Sequence, residues 1–264
     1  MSHRPRKRFG QHFLHDPFVI GKIIDAVNPQ PGQTVVEIGP GQGAITLPLL
    51  ERLGSLQAVE LDRDLARGLE VRCAGHGRLV IHCADALRFD FSRLAPPEGR
   101  LRLVGNLPYN ISTPLLFHLL EQRECIDDMH FMLQKEVVAR MAARTGTKQY
   151  GRLTVMLAAF CRVESLFHVG PGAFRPPPRV DSSVVRLSPW RTPPFNVGDG
   201  QAFAALVNRA FSMRRKTLKN ALKGMLAESG IMAAGVDPGC RAETLDPATF
   251  AALALQLGTL RDDG

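Results

Sequence analysis

The chain has 264 residues, of which 45% are hydrophobic, and a formal net charge of +8. This length can bury one large domain and a small one, and the basic balance favours a polyanionic partner. No stretch approaches the roughly 18 apolar residues of a membrane span, and the basic N-terminus has no apolar core behind it, so we expect neither a membrane protein nor a secreted one.

The cysteine and histidine patterns point to no metal site. The five cysteines form no C-x-x-C pair, and the eight histidines form no H-E-x-x-H motif. We therefore interpret the cysteines as reduced thiols of a cytoplasmic protein, and we expect no bound metal.

Strands and helices alternate along most of the chain. Hydrophobic periodicity predicts strands near 34–38, 56–61, 79–83, 101–105 and 127–133, and helices near 18–27, 44–53, 62–72, 112–123, 135–143 and 150–160. This alternation predicts a mostly parallel sheet covered by helices on both faces, with ligands at the carboxyl ends of the strands. Two further β-rich runs, 163–169 and 183–187, flank a proline-rich segment and suggest a closing antiparallel hairpin.

Three of the predicted strands end in residues that suit a nucleotide. The first runs into Gly39 and Gly41, where the absence of a Cβ lets the backbone approach a ligand closely. The second ends in Glu60, which can accept both hydroxyl protons of a ribose, and the third leads to Asp85, which can accept an adenine amino group. Because Gly39, Gly41 and Ala44 also satisfy the dinucleotide fingerprint, these residues fit NAD or an adenosyl cofactor.

The strand near 101–105 ends in the turn Asn106-Leu107-Pro108-Tyr109. Such a turn places an amide side chain, carbonyl oxygens and an aromatic ring around one point, which suits a flat base carrying an exocyclic amine. Asn, Pro and Tyr are also common in ordinary turns, so the tetrapeptide alone leaves both interpretations open.

Three prolines near residue 190 separate the alternating strand and helix patterns from a segment with helical spacing. We place the boundary there, with a ligand-binding domain at 1–190 and a helical domain at 191–264.

The second domain carries a basic segment without acidic residues between Arg209 and Lys223. Helical spacing would align Arg215, Lys219 and Lys223 in one stripe able to contact phosphates. Basic residues also open the chain, and the candidate nucleic-acid contacts are Arg6, Lys7, Arg8, Arg214, Arg215, Lys216, Lys219 and Lys223.

The motifs, taken in order, resemble the ribosomal RNA adenine dimethyltransferase family. The resemblance extends from about residue 7 to about residue 220, and the segments that carry it are 36–46, 60–62, 85–86, 105–112 and 174–182. It is strongest to members that dimethylate two adjacent adenines in the 3′-terminal hairpin loop of 16S rRNA in the small ribosomal subunit. It implies a Rossmann-like class I methyltransferase sheet with a small all-α C-terminal domain, S-adenosylmethionine as cofactor and a monomer that binds rRNA.

The resemblance also assigns roles to residues. The adenine amine would be held by Asn106 together with the carbonyl of Leu107 or Pro108, and the base would be sandwiched between Tyr109 and Phe174. The predicted cofactor contacts are His12, Leu14, Gly39, Gly41, Glu60, Asp85 and Asn106. The sequence departs from the family at His12, where many relatives carry asparagine; a histidine there can still donate one hydrogen bond to the cofactor.

Three other functions are compatible with parts of the sequence. An adenine methyltransferase of large-subunit rRNA shares the same motifs, but the loop 174–182 and the basic C-terminal domain favour the small subunit. An NAD-dependent oxidoreductase fits the glycine turn, but the sequence offers no evident acid or base for hydride transfer. A ribosome-assembly factor without catalysis would not need the intact turn 106–109.

Overall fold

The computed structural model describes residues 12–259. The strands are β1 (Phe13–Leu14), β2 (Thr34–Ile38), β3 (Ser55–Glu60), β4 (Arg78–Cys83), β5 (Leu101–Asn106), β6 (Ile126–Gln134), β7 (Cys161–Val169), β8 (Phe174–Arg175) and β9 (Ser182–Pro189). The helices are α1 (Pro17–Val27), α2 (Thr46–Leu53), α3 (Arg63–Cys73), α4 (Ser112–Glu121), α5 (Lys135–Met141), α6 (Arg152–Phe160), α7 (Gly200–Ser212), α8 (Leu218–Ala221), α9 (Glu228–Ala233) and α10 (Pro247–Thr259).

Seven of the strands form one sheet in the order β4-β3-β2-β5-β6-β9-β7. The strands from β2 to β6 pair in parallel, whereas β9 runs antiparallel to β6. The mostly parallel sheet predicted from the sequence is confirmed, and the first five predicted strands agree with the observed bounds to within one residue. The two later β-rich runs became β7 and β9, which are neighbours in the sheet.

The chain order of the strands reverses beside β2. β3 pairs with one edge of β2 and β5 pairs with the other. In open α/β sheets a crevice forms at the carboxyl ends of the strands at such a reversal, and ligands bind there. The glycine turn after β2 and the turn 106–109 after β5 therefore lie at the same edge of the sheet.

Close packing at this edge depends on glycine. A Cβ at Gly105 in β5 would lie 2.5 Å from the carbonyl oxygen of Ile38, and a Cβ at Gly43 would lie 2.5 Å from Leu69 of α3. α3 begins at the N-cap Asp62, whose side chain accepts the backbone N–H groups of Asp64 and Leu65. These contacts fix β5 and α3 against the glycine turn.

A short second sheet joins two distant parts of the chain. β1 and β8 pair antiparallel, with Phe13 opposite Arg175 and Leu14 opposite Phe174. The His15 N–H also donates to the Ala173 carbonyl at 2.9 Å. The segment before α1 is thereby held beside the proline-rich loop, an arrangement that the sequence analysis did not predict.

The chain forms two compact units. Within the described residues, the first contains 12–138 and 164–189, and the second contains 139–163 and 190–259. The second unit consists of two chain segments. One starts at residue 190, where we expected the boundary, and the other is 139–163, which we had placed in the first domain. In the second unit α6, α7 and α10 pack together, with the Phe160 and Phe203 rings 6.0 Å apart and the Tyr150 hydroxyl donating to the Leu245 carbonyl at 2.7 Å. Within residues 12–259, no helix is both long and apolar enough to cross a membrane.

Candidate active site

A cavity of ≈ 220 Å³ lies at the carboxyl ends of β2, β3 and β5. Nearly all of the residues predicted for the cofactor and for the reacting base line this one cavity: His12, Leu14, Gly39, Gly41, Glu60, Asp85, Asn106, Leu107, Pro108 and Tyr109. The structure therefore brings together residues that are almost a hundred positions apart in the sequence. Phe174 does not line it.

The glycine turn forms one wall of the cavity. Gly39 and Gly41 have φ angles of +67° and +56°, a region that favours glycine. A Cβ at Gly41 would lie 3.3 Å from the ring of Phe13, so this position is also too crowded for a side chain without displacing the ring. Both glycines line the cavity, and their contact with a cofactor stays a prediction.

Glu60 is buried at the end of β3. Its Oε2 accepts the N–H of Gly41 at 3.1 Å, and its Oε1 accepts the N–H of Asp62 at 2.9 Å. Burial raises the pKa of Glu60, and the backbone N–H donors act in the opposite direction. Each carboxylate oxygen retains a second lone pair, so the residue can still accept the ribose hydroxyls predicted for it.

Asp85 lies half-buried on the loop after β4. Its Oδ1 accepts the N–H of Leu87 at 3.0 Å, which orients the carboxylate. The contact of Asp85 with a cofactor adenine stays a prediction, as do the other cofactor contacts.

The turn after β5 is held by hydrogen bonds on both sides. The Asn106 Nδ2 atom donates to the carbonyl of His12 at 3.0 Å, which leaves the Oδ1 atom as the accepting end of the side chain. The Leu107 N–H donates to Met132 of β6 at 3.2 Å, and the Pro108 carbonyl accepts the Ile111 N–H at 3.2 Å. The Asn106 amide is thereby fixed, and the carbonyls at 107 and 108 remain candidate acceptors, since a carbonyl oxygen has two lone pairs.

Tyr109 is anchored at its hydroxyl. The hydroxyl shares a hydrogen bond of 2.7 Å with the Ser182 hydroxyl at the start of β9, and burial raises the pKa of the tyrosine. The imidazole of His12 stacks on the tyrosine ring, with the centroids 5.6 Å apart and the planes at 27°. Ser182 could not be identified as part of this site from the sequence, because only the fold brings β9 to the turn.

Phe174 packs in the core of the first unit. Its side chain is 2% exposed and belongs to a hydrophobic cluster that includes Leu14, Met132 and Val184. A ring in this position cannot cover a base in the cavity unless the loop rearranges. The sandwich of an adenine between Tyr109 and Phe174 therefore stays a prediction.

Glu37 of β2 is a cavity residue that the sequence analysis did not single out. Its side chain is 2% exposed, and its Oε2 accepts the hydroxyl of Thr46 at 2.6 Å. Burial raises its pKa to about 7; the Thr46 hydrogen bond lowers it, and the nearby Glu60 raises it further. Glu37 is the one acidic residue in the apolar run 35–38, and this feature of the sequence could have identified it.

The predicted basic stripe does not exist. α7 ends at Ser212 and α8 contains only four residues, so Arg215 and Lys223 lie in turns. The physical reason is that the N–H groups of Leu218 and Lys219 donate to the carbonyls of Cys240 and Pro238, which replaces the hydrogen bonds of a continuing helix.

The individual basic side chains differ in their surroundings. Arg214 pairs with Glu243 and donates to the Lys148 carbonyl at 3.0 Å, and Lys219 lies 3.6 Å from Glu228. Arg215, Lys216 and Lys223 are exposed. The remaining candidates, Arg6, Lys7 and Arg8, lie outside the described residues. Within residues 12–259 no group of three or more His, Cys, Asp or Glu side chains is arranged to hold a metal ion.

Known proteins match this chain over most of its length. Residues 2–257 match the family model for ribosomal RNA adenine dimethylase. The chain is 58% identical over 254 residues to the ribosomal RNA small subunit methyltransferase A of Nitrosococcus oceani, which covers 96% of each protein. Its structure resembles a dimethyladenosine transferase from Plasmodium falciparum, with a TM-score of 0.78, 29% identity and coverage of 94% of this chain and 98% of that one. It also resembles the 23S rRNA methyltransferase ErmE, with a TM-score of 0.68, 27% identity and coverage of 93% and 99%.

Proposed function

The chain belongs to the ribosomal RNA adenine dimethylase family, and from this premise we propose that it dimethylates N6 of two adjacent adenines in the 3′-terminal hairpin loop of 16S rRNA. Its reaction is an rRNA adenine methylation that uses S-adenosylmethionine as the methyl donor. Identity of 58% to a small-subunit enzyme, against 27% to a large-subunit enzyme, supports the choice of the small subunit. We further propose that it acts as a cytoplasmic monomer and that its second unit contacts the RNA.

The observation that carries this proposal is the convergence of two residue sets on one cavity. Gly39, Gly41, Glu60 and Asp85 form the part that suits a nucleoside, and the turn 106–109 forms the part that suits a base amine. An oxidoreductase would need only the first set. A protein that merely binds RNA would need neither set in this arrangement.

The cavity residues fit the adenosyl cofactor. The backbone at Gly39 has open space beside it, since a Cβ there would lie 4.0 Å from its nearest neighbour, Pro108 Cδ, and the Glu60 and Asp85 carboxylates offer acceptors for hydroxyl and amino groups. When bound, S-adenosylmethionine supplies a methyl group that is already activated by its positively charged sulfur.

The protein side chains then have to align the adenine amine rather than activate it strongly. The lone pair of adenine N6 is delocalised into the ring, so the amine is a poor nucleophile until it is held toward tetrahedral geometry. Asn106 Oδ1 and one carbonyl of the turn can accept hydrogen bonds from the two N6–H groups and direct the lone pair at the methyl carbon, and the N6 proton that the methyl group replaces leaves to water. The Nδ2 bond to His12 O fixes Asn106 for this role, and Tyr109 provides the stacking surface.

The proposal is tested with purified protein, labelled S-adenosylmethionine and small subunits from cells that lack the modification. Mass spectrometry of the rRNA should find dimethyladenine at two adjacent positions. Asn106→Ala should lower the single-turnover rate about a hundredfold, since such an acceptor matters mainly in the transition state. Affinities for the cofactor and for the RNA should change much less.

The exposed Asn208 on α7 provides a matched control, because Asn208→Ala removes the same amide outside the cavity. The alignment mechanism is wrong if Asn106→Ala reacts at the parental rate. The assignment of the substrate is wrong if the parental protein methylates large-subunit rRNA and leaves the small subunit unmodified.

A further inference from the structure

His12 makes three contacts that orient it beside the turn after β5. Its Nδ1 lies 2.7 Å from the Pro176 carbonyl, its own carbonyl accepts the Asn106 side chain, and its ring stacks on Tyr109. A carbonyl oxygen can only accept a hydrogen bond, so Nδ1 carries the proton and donates. The imidazole is therefore fixed relative to both the catalytic turn and the proline-rich loop.

The ring of Tyr109 is restrained at two places. Its hydroxyl is hydrogen-bonded to Ser182, whose side chain is fully buried, and one of its faces is partly covered by the His12 imidazole in an offset stack. A hydrogen bond at the far end of the ring and a stacked partner on one face together limit both tilt and rotation.

The spacing of the two rings excludes a base from between them. The centroids are 5.6 Å apart. A base inserted between two stacked rings needs about 7 Å, twice the optimal contact distance of about 3.5 Å. An adenine that stacks on Tyr109 in this arrangement must use the face away from His12.

We infer that His12 is a positioning residue for the methylation proposed above: it covers one face of Tyr109 and leaves the opposite face as the platform for the target adenine. The role rests on the imidazole ring, which stacks on Tyr109.

Three variants separate the ring from its hydrogen bond. His12→Phe keeps the stacked ring and loses the Nδ1 donor, His12→Asn loses the ring and keeps a hydrogen-bond donor, and His12→Ala loses both. We expect kcat to fall about tenfold in the Asn and Ala variants, because a small misplacement of the base is costly, and to stay within about threefold of the parent in His12→Phe. KM for the RNA should change less than kcat.

A spectroscopic measurement follows the platform without catalysis. An RNA hairpin of the target sequence carries 2-aminopurine at the reacting position, and its fluorescence is quenched when it stacks on Tyr109. Bound to the parent or to His12→Phe, the probe should be quenched; bound to His12→Asn or His12→Ala, it should be brighter. The exposed His76, which pairs with Glu51 outside the cavity, supplies the control variant His76→Asn.

Equal activity and quenching in the parent and His12→Ala would overturn the inference. Loss of activity in His12→Phe as large as in His12→Ala would overturn it as well, since a polar or proton-transferring role of the imidazole would then be required. Both outcomes presuppose a parental protein that methylates small-subunit rRNA, so the failure of the proposed function itself is a separate result.

Discussion

Burial in β2 shifts the pKa of the Glu37 carboxyl group well above its ordinary value. The pKa rises from 4.5 to about 7, mainly through desolvation. The folded chain thus binds this proton more tightly than the unfolded chain does. The contribution to stability is fully present below about pH 4.5 and is lost as the pH rises through about 7.

The change Glu37→Gln tests this linkage. Glutamine keeps an oxygen for the Thr46 hydroxyl but cannot ionise. Relative to the parent, the variant should gain stability between about pH 5 and pH 8, by at most about 3 kcal/mol. Urea unfolding at both pH values measures the difference.

The control for this prediction is Glu98→Gln, which removes an exposed carboxylate from a loop. Its effect on the free energy of unfolding should be small at both pH values. A difference between Glu37→Gln and the parent that does not vary with pH would show that Glu37 is already ionised in the folded chain.

At the same scale, the sequence identified residues that end strands but not the directions of side chains. Gly39, Glu60, Asp85 and Asn106 could be found because strand ends meet at one edge of a parallel sheet. The burial of Phe174 and the contact between Tyr109 and Ser182 could not be found, because they depend on how the loop 174–181 packs. The stacking by His12 depends on the same loop.

At the scale of elements, Arg102 joins β5, β6 and the end of α1. Its guanidinium forms two hydrogen bonds with Asp128 at 2.9 Å and donates to the Val27 carbonyl at 2.7 Å. Arg102 and Asp128 are both buried. Removing one partner of a buried pair leaves an uncompensated charge, which costs more than the pair itself contributes.

Asp128→Asn should therefore lower the free energy of unfolding by about 3–5 kcal/mol. Asp127→Asn is the matched control, since this neighbour in β6 is exposed and exposed ion pairs contribute little. Chemical denaturation of both variants measures the effect. If the two variants lose the same stability, the buried network does not hold these elements together.

The elements also show what periodicity can predict. β2 to β6 are long enough for their apolar runs to be recognised, and so are the helices between them. β1 and β8 have two residues each, and two residues carry no period. The prediction of one continuous basic helix was wrong although its apolar residues, Phe211, Leu218 and Leu222, have helical spacing. Backbone N–H groups of this segment donate to the carbonyls of residues 238 and 240, and these hydrogen bonds divide the segment.

At the scale of the whole molecule, the formal charge of +8 favours a polyanion but does not say where it binds. Arg214 is held by Glu243 and by the Lys148 carbonyl, which makes it a poor candidate for a phosphate contact. The ion pair of Lys219 with Glu228 is exposed and therefore weak, so Lys219 stays a candidate. Arg215, Lys216 and Lys223 are exposed, and we propose these three side chains as phosphate contacts in place of the stripe.

Replacing Arg215, Lys216 and Lys223 by alanine should weaken rRNA binding and reduce the slope of log K against log salt by about 2 to 3, because fewer counterions are released. Methylation at saturating RNA should persist. The control replaces the exposed Arg63, Arg67 and Arg72 of α3, which removes the same charge from the first unit. If the slope of log K against log salt falls equally in both triple variants, the binding depends on net charge and not on a local contact.

The position of β9 between β6 and β7 has a consequence for the chain as it is synthesised. β6 ends at Gln134 and its partner begins at Ser182, so 48 further residues must be made before this edge is paired. At about 5–20 residues per second, the wait lasts roughly 2 to 10 seconds. During that interval β2 to β5 can already pair, while the apolar edge strand β6 is open to aggregation. During synthesis, the strands β2 to β5, which hold the cofactor residues, can therefore pair first. The open edge at β6 is the part of the sheet that most needs protection by a chaperone.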